Sequence, residues 1–283
     1  MEHVADQILE REPRISIPDL LVQTNETVDR NLHKNFHIPS DDSGSTAVSV
    51  LAIGSTLYCS NVGDSRCILG VRNPAGKVVP KALSSDQTLY RADERQRVLD
   101  LGGRIDQNGD PPRIWLQKKF EPGCAFSRSL GDKIAETVGC VATPEIMAHE
   151  LSDDDVVCII ASDGVWEFLT NQNVVDICLA TLDPYTASYK IVSTAYQEWY
   201  EQEERIDDIS VIVLFFGRHE MQQNNDQNVR LDTLPKRSRR GSHAKLAVEF
   251  EKTASILPVE ERNTRRGSFS RLGFSKTRGS MDA

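Results

Sequence analysis

The sequence predicts an α/β layered sandwich, antiparallel sheets packed face to face with helices outside. Apolar runs rich in β-branched residues recur as hairpins joined by short turn signals, amphipathic helical stretches are interleaved with them, and no repeat of fixed period breaks the pattern. With 283 residues and 39% apolar content, the chain can bury one sizeable core and still have residues left over.

Residues 3–12 and 19–36 read as helices, with Val4, Ile8 and Leu9 on one face of the first and Leu21, Val28 and Leu32 spaced along the second. The run 46–53, the turn signal Gly54-Ser55 and the run 56–62 then read as a hairpin. A strand over 66–71 leads through the turn Arg72-Asn73-Pro74-Ala75-Gly76 into another over 77–83. Residues 93–101 form a short helix closed by Gly102-Gly103, and Asp110-Pro111-Pro112 punctuates a long irregular stretch that runs to Gly131. The near-continuous apolar run 156–161 is a strand. Amphipathic helices follow over 171–180 and 186–202, the second with Ala187, Ile191, Ala195 and Trp199 on one stripe, and the last strand is 209–216. Beyond Gly217 the composition turns Gln-, Asn-, Ser- and Arg-rich apart from a weakly apolar stretch over 246–257, so the expected division is a domain over 1–217 and a basic, disordered tail over 218–283.

The net charge of -9 hides an asymmetry about that boundary. Residues 218–283 hold 14 Lys and Arg against 8 Asp and Glu, which leaves 19 basic against 34 acidic residues before them. Such an acidic body argues against a nucleic-acid binder, because phosphate backbones demand the opposite sign, and suits a protein that concentrates cations. No apolar run approaches the roughly 18 residues of a spanning helix. The start Met1-Glu2-His3-Val4-Ala5-Asp6 has neither a basic n-region nor an apolar h-region. The expectation is a soluble cytoplasmic protein, the nucleus being the other compartment left open, with no membrane partner. Cys59, Cys67, Cys124, Cys140, Cys158 and Cys178 form no CxxC pair and read as reduced, mostly core residues rather than a zinc site or disulfide framework.

Acidic residues recur where strands end, at Gly63-Asp64-Ser65, Ser162-Asp163-Gly164 and Arg205-Ile206-Asp207-Asp208. Carboxylates projecting from a rigid sheet into a shared cleft make a hard oxygen site for Mg²⁺ or Mn²⁺. Each triplet alone is equally a turn in which Asp satisfies its own backbone, or a solvated pair before a strand. The residues by themselves leave both readings open.

The order of the pieces adds a resemblance. Ser43-Gly44-Ser45-Thr46-Ala47, Asn61-Val62-Gly63-Asp64-Ser65-Arg66, Asp86-Gln87-Thr88, Ala125-Phe126-Ser127-Arg128-Ser129-Leu130-Gly131-Asp132, Ala161-Ser162-Asp163-Gly164-Val165-Trp166-Glu167 and Asp207-Asp208-Ile209-Ser210-Val211-Ile212-Val213 resemble the successive motifs of the metal-dependent type-2C serine/threonine protein phosphatases. Asp110-Pro111-Pro112-Arg113-Ile114-Trp115 and the run 131–139 are similar to a subgroup in which cyclic-nucleotide-binding and kinase domains follow the phosphatase domain. The resemblance implies two central antiparallel sheets flanked by helices, with a Mg²⁺ or Mn²⁺ cluster at one end. Asp163 and Asp207 match ligands of the first metal, and Asp64, Asp163 and Glu167 match those of a more weakly held third, with Glu167 in place of the more usual Asp. It further implies phosphoprotein substrates, hydrolysed at phosphoserine and phosphothreonine by a metal-activated water.

Upstream of these motifs the family carries an Arg that grips phosphate, a carboxylate for the second metal and an Asp-Gly-His-Gly-Gly motif. This sequence has one Asp-Gly, at Asp163, and no Asp-Gly-His; Met1 falls about where the helix after that motif begins. The expectation is therefore an N-terminally incomplete phosphatase domain with open sheet edges and no catalytic side chain of its own. A phosphatase-like module that binds partners without catalysis is the other reading. In the tail, Arg239-Arg240-Gly241-Ser242 and Arg265-Arg266-Gly267-Ser268 resemble sites for cyclic-nucleotide-dependent kinases, where phosphate would shift local charge from positive toward neutral. A second expectation is that the basic tail folds back onto the acidic body near the metal site and inhibits it.

Overall fold

The structure, a computed structural model, describes residues 15–106 and 111–216. The first expected helix, over 3–12, and everything expected of the tail lie outside the described residues. Helix α1 (Ile17–Lys34) starts two residues earlier than the apolar spacing implied, because Ser16 caps it, accepting from the Asp19 N–H at 3.3 Å, and a proline occupies the first turn. The hairpin β2 (Ala47–Ile53) and β3 (Thr56–Val62) follows, turning at Gly54. Strands β4 (Arg66–Arg72) and β5 (Val78–Ala82) are joined by a turn that the Asn73 carboxamide closes, accepting from the Ala75 and Lys77 N–H groups at 3.0 Å each. Helix α2 (Ala92–Asp100) comes next. The second half adds β11 (Asp155–Ala161), α5 (Asn171–Thr181) capped by Thr170, α6 (Pro184–Gln202) capped by Asp183, and β12 (Val211–Phe215).

The structure corrects the reading of 103–131 as irregular. That segment contains a three-stranded antiparallel sheet of β6 (Arg104–Asp106), β7 (Arg113–Trp115) and β8 (Pro122–Cys124), and ends in β9 (Leu130–Gly131), which pairs with β1 (Gly44–Ser45). Strands of two or three residues are too short for a period to register. The short helix α3 (Lys133–Glu136) and strand β10 (Glu145–Glu150) were likewise unread; β10 is an edge strand whose residues are all half-buried or exposed, so its sequence shows no apolar alternation.

The two principal sheets are β10-β3-β2 and β12-β11-β4-β5, every neighbouring pair antiparallel. They face one another across Leu57, Cys59, Cys67, Leu69, Leu83 and Cys158, with Val48, Val50 and Ile160 at the margin. Alternation along β4 and β11 sends the other set, Ile68, Val157, Ile159 and Ala161, to the opposite face, where Val174, Val175 and Cys178 of α5 and Ala187, Ile191 and Ala195 of α6 cover them. Helix α1 covers the outer face of the other sheet, its Asn25 side chain donating to Ser60 Oγ at 3.1 Å. The two-sheet sandwich flanked by helices is thus present. β2 and β12 each end a sheet among the described residues. On β12, Ile212 and Leu214 share the inter-sheet face with Ile160 and Cys158 yet remain 63% and 52% exposed. All six cysteines are free and all but Cys124 are buried; the Cys67 and Cys158 sulfurs lie 3.7 Å apart. Among the described residues no helix is long and apolar enough to cross a membrane.

Below α2 lies a buried ion network. Glu94 is fully buried and accepts from Arg97 Nη2 at 2.5 Å, from Arg128 Nη2 at 2.6 Å and from the Ser127 hydroxyl. Arg128 also donates to the Thr143 carbonyl at 2.9 Å and to Glu145 at 3.2 Å, and Arg91 forks onto Glu145 at 2.7 and 2.8 Å. Burial alone would push the Glu94 carboxyl up, but the bonds from Arg97, Arg128 and Ser127 outweigh it and hold it at about 2, below its usual 4.5. The unfolded chain therefore binds more protons than the folded one between those values, so this stabilisation is complete above about pH 4.5 and is lost as pH falls toward 2. Glu94→Gln should cost about 3–5 kcal/mol at neutral pH by stranding buried guanidinium charge. In urea melts its destabilisation relative to the unaltered chain should shrink on acidification through that window.

Candidate metal centre

The carboxylates of interest are set by backbone at one end of the β12-β11-β4 ladder. Ala161, the last residue of β11, pairs with Arg66 on one side and Val211 on the other. In antiparallel strands two residues past a pair in one chain lie beside two residues before it in the other, so Asp163 and Asp64 leave the sheet at the same end. On the β12 side the ladder continues through Ser162, whose N–H donates to the Ser210 carbonyl at 3.0 Å. The Ser210 N–H returns to Ser162 Oγ at 3.0 Å, and that hydroxyl donates to the Asp208 carbonyl at 3.0 Å.

Asp163 opens a single helical turn, α4 (Asp163–Trp166), and Glu167 closes it, its N–H donating to the Asp163 carbonyl at 2.9 Å. Gly164 is required here, since a Cβ on it would lie 2.4 Å from the Asp208 carbonyl oxygen. Two indoles anchor the turn: Trp166 Nε1 donates to the Ala161 carbonyl at 2.9 Å, and Trp199 Nε1, from α6, donates to the Gly164 carbonyl at 2.8 Å. The Asp163 carboxylate accepts from the Gly164 N–H at 2.9 Å and the Asp207 carboxylate from the Asp208 N–H at 2.7 Å, which orients both.

Asp64 sits in a second fixed turn. Gly63 before it has φ +100, a conformation only glycine enters freely, with Thr46 so close that a Cβ would meet its methyl at 2.4 Å. The Gly63 N–H donates to Gln87 Oε1 at 2.6 Å, the Gln87 amide donates back to the Asn61 carbonyl at 3.1 Å, and the Ser65 and Thr46 hydroxyls meet at 2.8 Å.

Electrostatics join the four residues that the sequence singled out. Burial first, then the Asp163 charge, pushes the Asp64 carboxyl from 3.8 to about 7, with Asp86 and Asp207 adding to the rise. Asp163 is raised by burial, then by Asp207, and further by Glu167. The largest influences raising both are burial and other carboxylates. Two other acidic groupings bring three ligand atoms within 4.8 Å of one another, which no three of these four residues do. Asp93, Glu94 and Glu145 are held by Arg91, Arg97 and Arg128, and Asp29 and Glu136 bracket His33, whose Nε2 lies 3.4 and 3.1 Å from them. The Asp163 group instead gathers like charges, and its all-oxygen donor set suits a hard divalent cation.

Asp86 and Arg66 belong to motifs read in the sequence but had no role there. Arg66 Nε and Nη2 fork onto the Asp86 carboxylate at 2.9 and 2.5 Å. An Arg beginning a strand and an Asp 20 residues on, after its hairpin partner, were the available signal.

A sequence profile described as Protein phosphatase 2C matches residues 6–202. The chain belongs to the protein phosphatase 2C family. It is 35% identical over 230 residues to Probable protein phosphatase 2C 35 of Arabidopsis thaliana, covering 74% of this chain and 64% of that one. It is 34% identical to Probable protein phosphatase 2C 34 of the same plant, over 69% of this chain and 56% of that one. The chain thus spans less than two thirds of the length of these relatives. Its fold resembles the crystal structure of a serine-threonine phosphatase 2C from Toxoplasma gondii, with TM-score 0.62 at 19% identity over 76% of this chain and 71% of that one. A sex determining protein of C. elegans also superimposes, with TM-score 0.61 at 21% identity over 76% of this chain and 50% of that one.

Within this phosphatase 2C fold, the approach at Gly164 is the sharpest backbone constraint near the carboxylates. Gly164→Ala should destabilise the chain by about 3 kcal/mol, measured by urea denaturation, because the added methyl meets backbone that the Ser162–Ser210 bonds hold in place.

Proposed function

We propose that this phosphatase 2C chain hydrolyses phosphoserine and phosphothreonine in proteins at a Mg²⁺ or Mn²⁺ centre built on Asp163. The observation that carries the reading is the shared end of the sheet from which Asp64 and Asp163 leave, where Asp207 and Glu167 also act on the Asp163 charge. In this reading Asp163 and Asp207 hold one cation, and Asp64, Asp163 and Glu167 hold another more weakly. When bound, the cations supply an activated water and hold the phosphoryl oxygens for in-line displacement. The chain's own residues do the positioning. The Ser162–Ser210 ladder fixes Asp163 against Asp207, the two indoles fix the turn between Asp163 and Glu167, and the Gly63 turn fixes Asp64.

The finer likeness, to phosphatases followed by cyclic-nucleotide-binding and kinase domains, is supported by Asp110-Pro111-Pro112-Arg113-Ile114-Trp115 and the run 131–139. With it we place a phosphatase domain over 1–217, a basic regulatory segment over 218–283, and phosphorylation of Ser242 and Ser268 by a cyclic-nucleotide-dependent kinase in the cytoplasm. The support is the Arg-Arg-x-Ser spacing and the reversal of charge at residue 217.

Phosphate release from a phosphothreonine peptide and from p-nitrophenyl phosphate, with and without Mn²⁺, tests the activity. Release should require Mn²⁺ and fall by about 100-fold or more in Asp163→Asn. Mn²⁺ uptake without hydrolysis of either compound would leave a phosphatase-like binding module instead, and hydrolysis that survives the substitution would remove Asp163 from the centre.

A further inference from the structure

Arg66 makes more connections than a strand-end arginine needs. It is the first residue of β4, directly after Gly63-Asp64-Ser65, and pairs across the ladder with Ala161, two residues before Asp163. Its guanidinium spends its donors on three separate segments. Nε and Nη2 take both oxygens of Asp86 at 2.9 and 2.5 Å, Nη1 donates to Asn171 Oδ1 at the start of α5 at 2.7 Å, and the carbon at its centre stacks 5.1 Å from the ring centroid of Trp166. Trp166 is the last residue of the α4 turn, neighbour to Glu167, and is itself only 8% exposed. One planar cation therefore ties the strand that carries Asp64 to the turn that carries Asp163 and Glu167.

The same fork has a second consequence. Asp86 is near enough to Asp64 to act on its charge, so a free Asp86 carboxylate would be a competing hard ligand beside the proposed centre. With both oxygens engaged by Arg66 it is not free. Lysine could keep the charge but could not fork, donate sideways and stack at once.

We propose that Arg66 is a positioning residue of the cation centre, holding Asp64 in register with the Asp163–Trp166 turn and keeping Asp86 out of the ligand set. This rests on the metal-centre reading above. It goes beyond that reading by making the arrangement of the ligands depend on a residue that touches neither cation nor substrate.

The test uses the full chain with Arg66→Lys, Asp86→Asn and the double variant. Free Mn²⁺ is followed by electron paramagnetic resonance, and amide hydrogen exchange is measured without metal. The Val165 and Glu167 amides, bonded to the Ser162 and Asp163 carbonyls, report the turn; Ile160 and Ile212, a hydrogen-bonded pair of the β11–β12 ladder, report the sheet. Arg66→Lys should weaken Mn²⁺ binding about tenfold and speed exchange at Val165 and Glu167 while Ile160 and Ile212 keep their protection. Asp86→Asn should do the same, and the double variant should be no worse than either, as expected of a pair acting as a unit. Unchanged Mn²⁺ affinity would overturn the proposal. So would equal loss of protection in turn and sheet, which marks a strut of the whole fold, or effects that add in the double variant. No Mn²⁺ uptake by the unaltered chain would remove the centre itself, a result distinct from uptake that ignores Arg66.

Discussion

The site depends on one close contact, the backbone of Gly164 lying against the backbone of Asp208 with no room for a side chain between them. The Ser162–Ser210 exchange of hydrogen bonds extends the β11–β12 ladder past its last regular pair and brings the two segments to that distance. Once they are there, Asp163 and Asp207 are near enough for the Asp207 charge to act on Asp163. The sandwich beneath supplies the rigidity: β11 is central in its sheet, buried on both faces, and cannot shift without disturbing both the inter-sheet core and the layer under α5 and α6.

Charge then separates the arginine-paired acids from those of the proposed centre. Glu94 exposes no surface to solvent, yet its carboxyl is held low by guanidinium groups, while that of Asp64 is driven up by burial and by other carboxylates. The first arrangement stabilises the fold as it stands. The second costs stability in the absence of a compensating cation, which is the expected mark of a site whose arrangement serves binding rather than folding. Arg66 stands between the two sets, engaging both oxygens of Asp86, which in turn acts on the Asp64 charge.

Much of this was legible in the sequence. The strands β3, β4 and β11 declare themselves as long apolar runs because each is buried, and the acids at their ends stand out against that background. The pieces that escaped are those whose stability is not local. β10 is an edge strand with neither face fully covered, and β6, β7 and β8 are three residues each, so neither had a period to show. The ligand candidates Asp64, Asp163, Asp207 and Glu167 were found by their motifs. The dependence of that set on Gly164, Trp199 and Arg66 was not, since Gly164 meets the Asp208 backbone, Trp199 meets Gly164 and Arg66 meets Trp166 only once the ladder and α6 bring distant segments together. The six ordered motifs named the family, which the sequence profile and the relatives then showed, but motif order carries no information about which side chains hold the ligands in place.

The carboxylates at the end of the sheet, and not the arginine-paired ones, should take the cation. Anomalous diffraction from crystals of this chain grown with Mn²⁺ decides between them. The expected peak is bounded by Asp163 and Asp207, with Asp64 and Glu167 on its further side. A peak at Asp93, Glu94 and Glu145 instead, or carboxylates of Asp163 and Asp207 that leave the map featureless at saturating Mn²⁺, would contradict it.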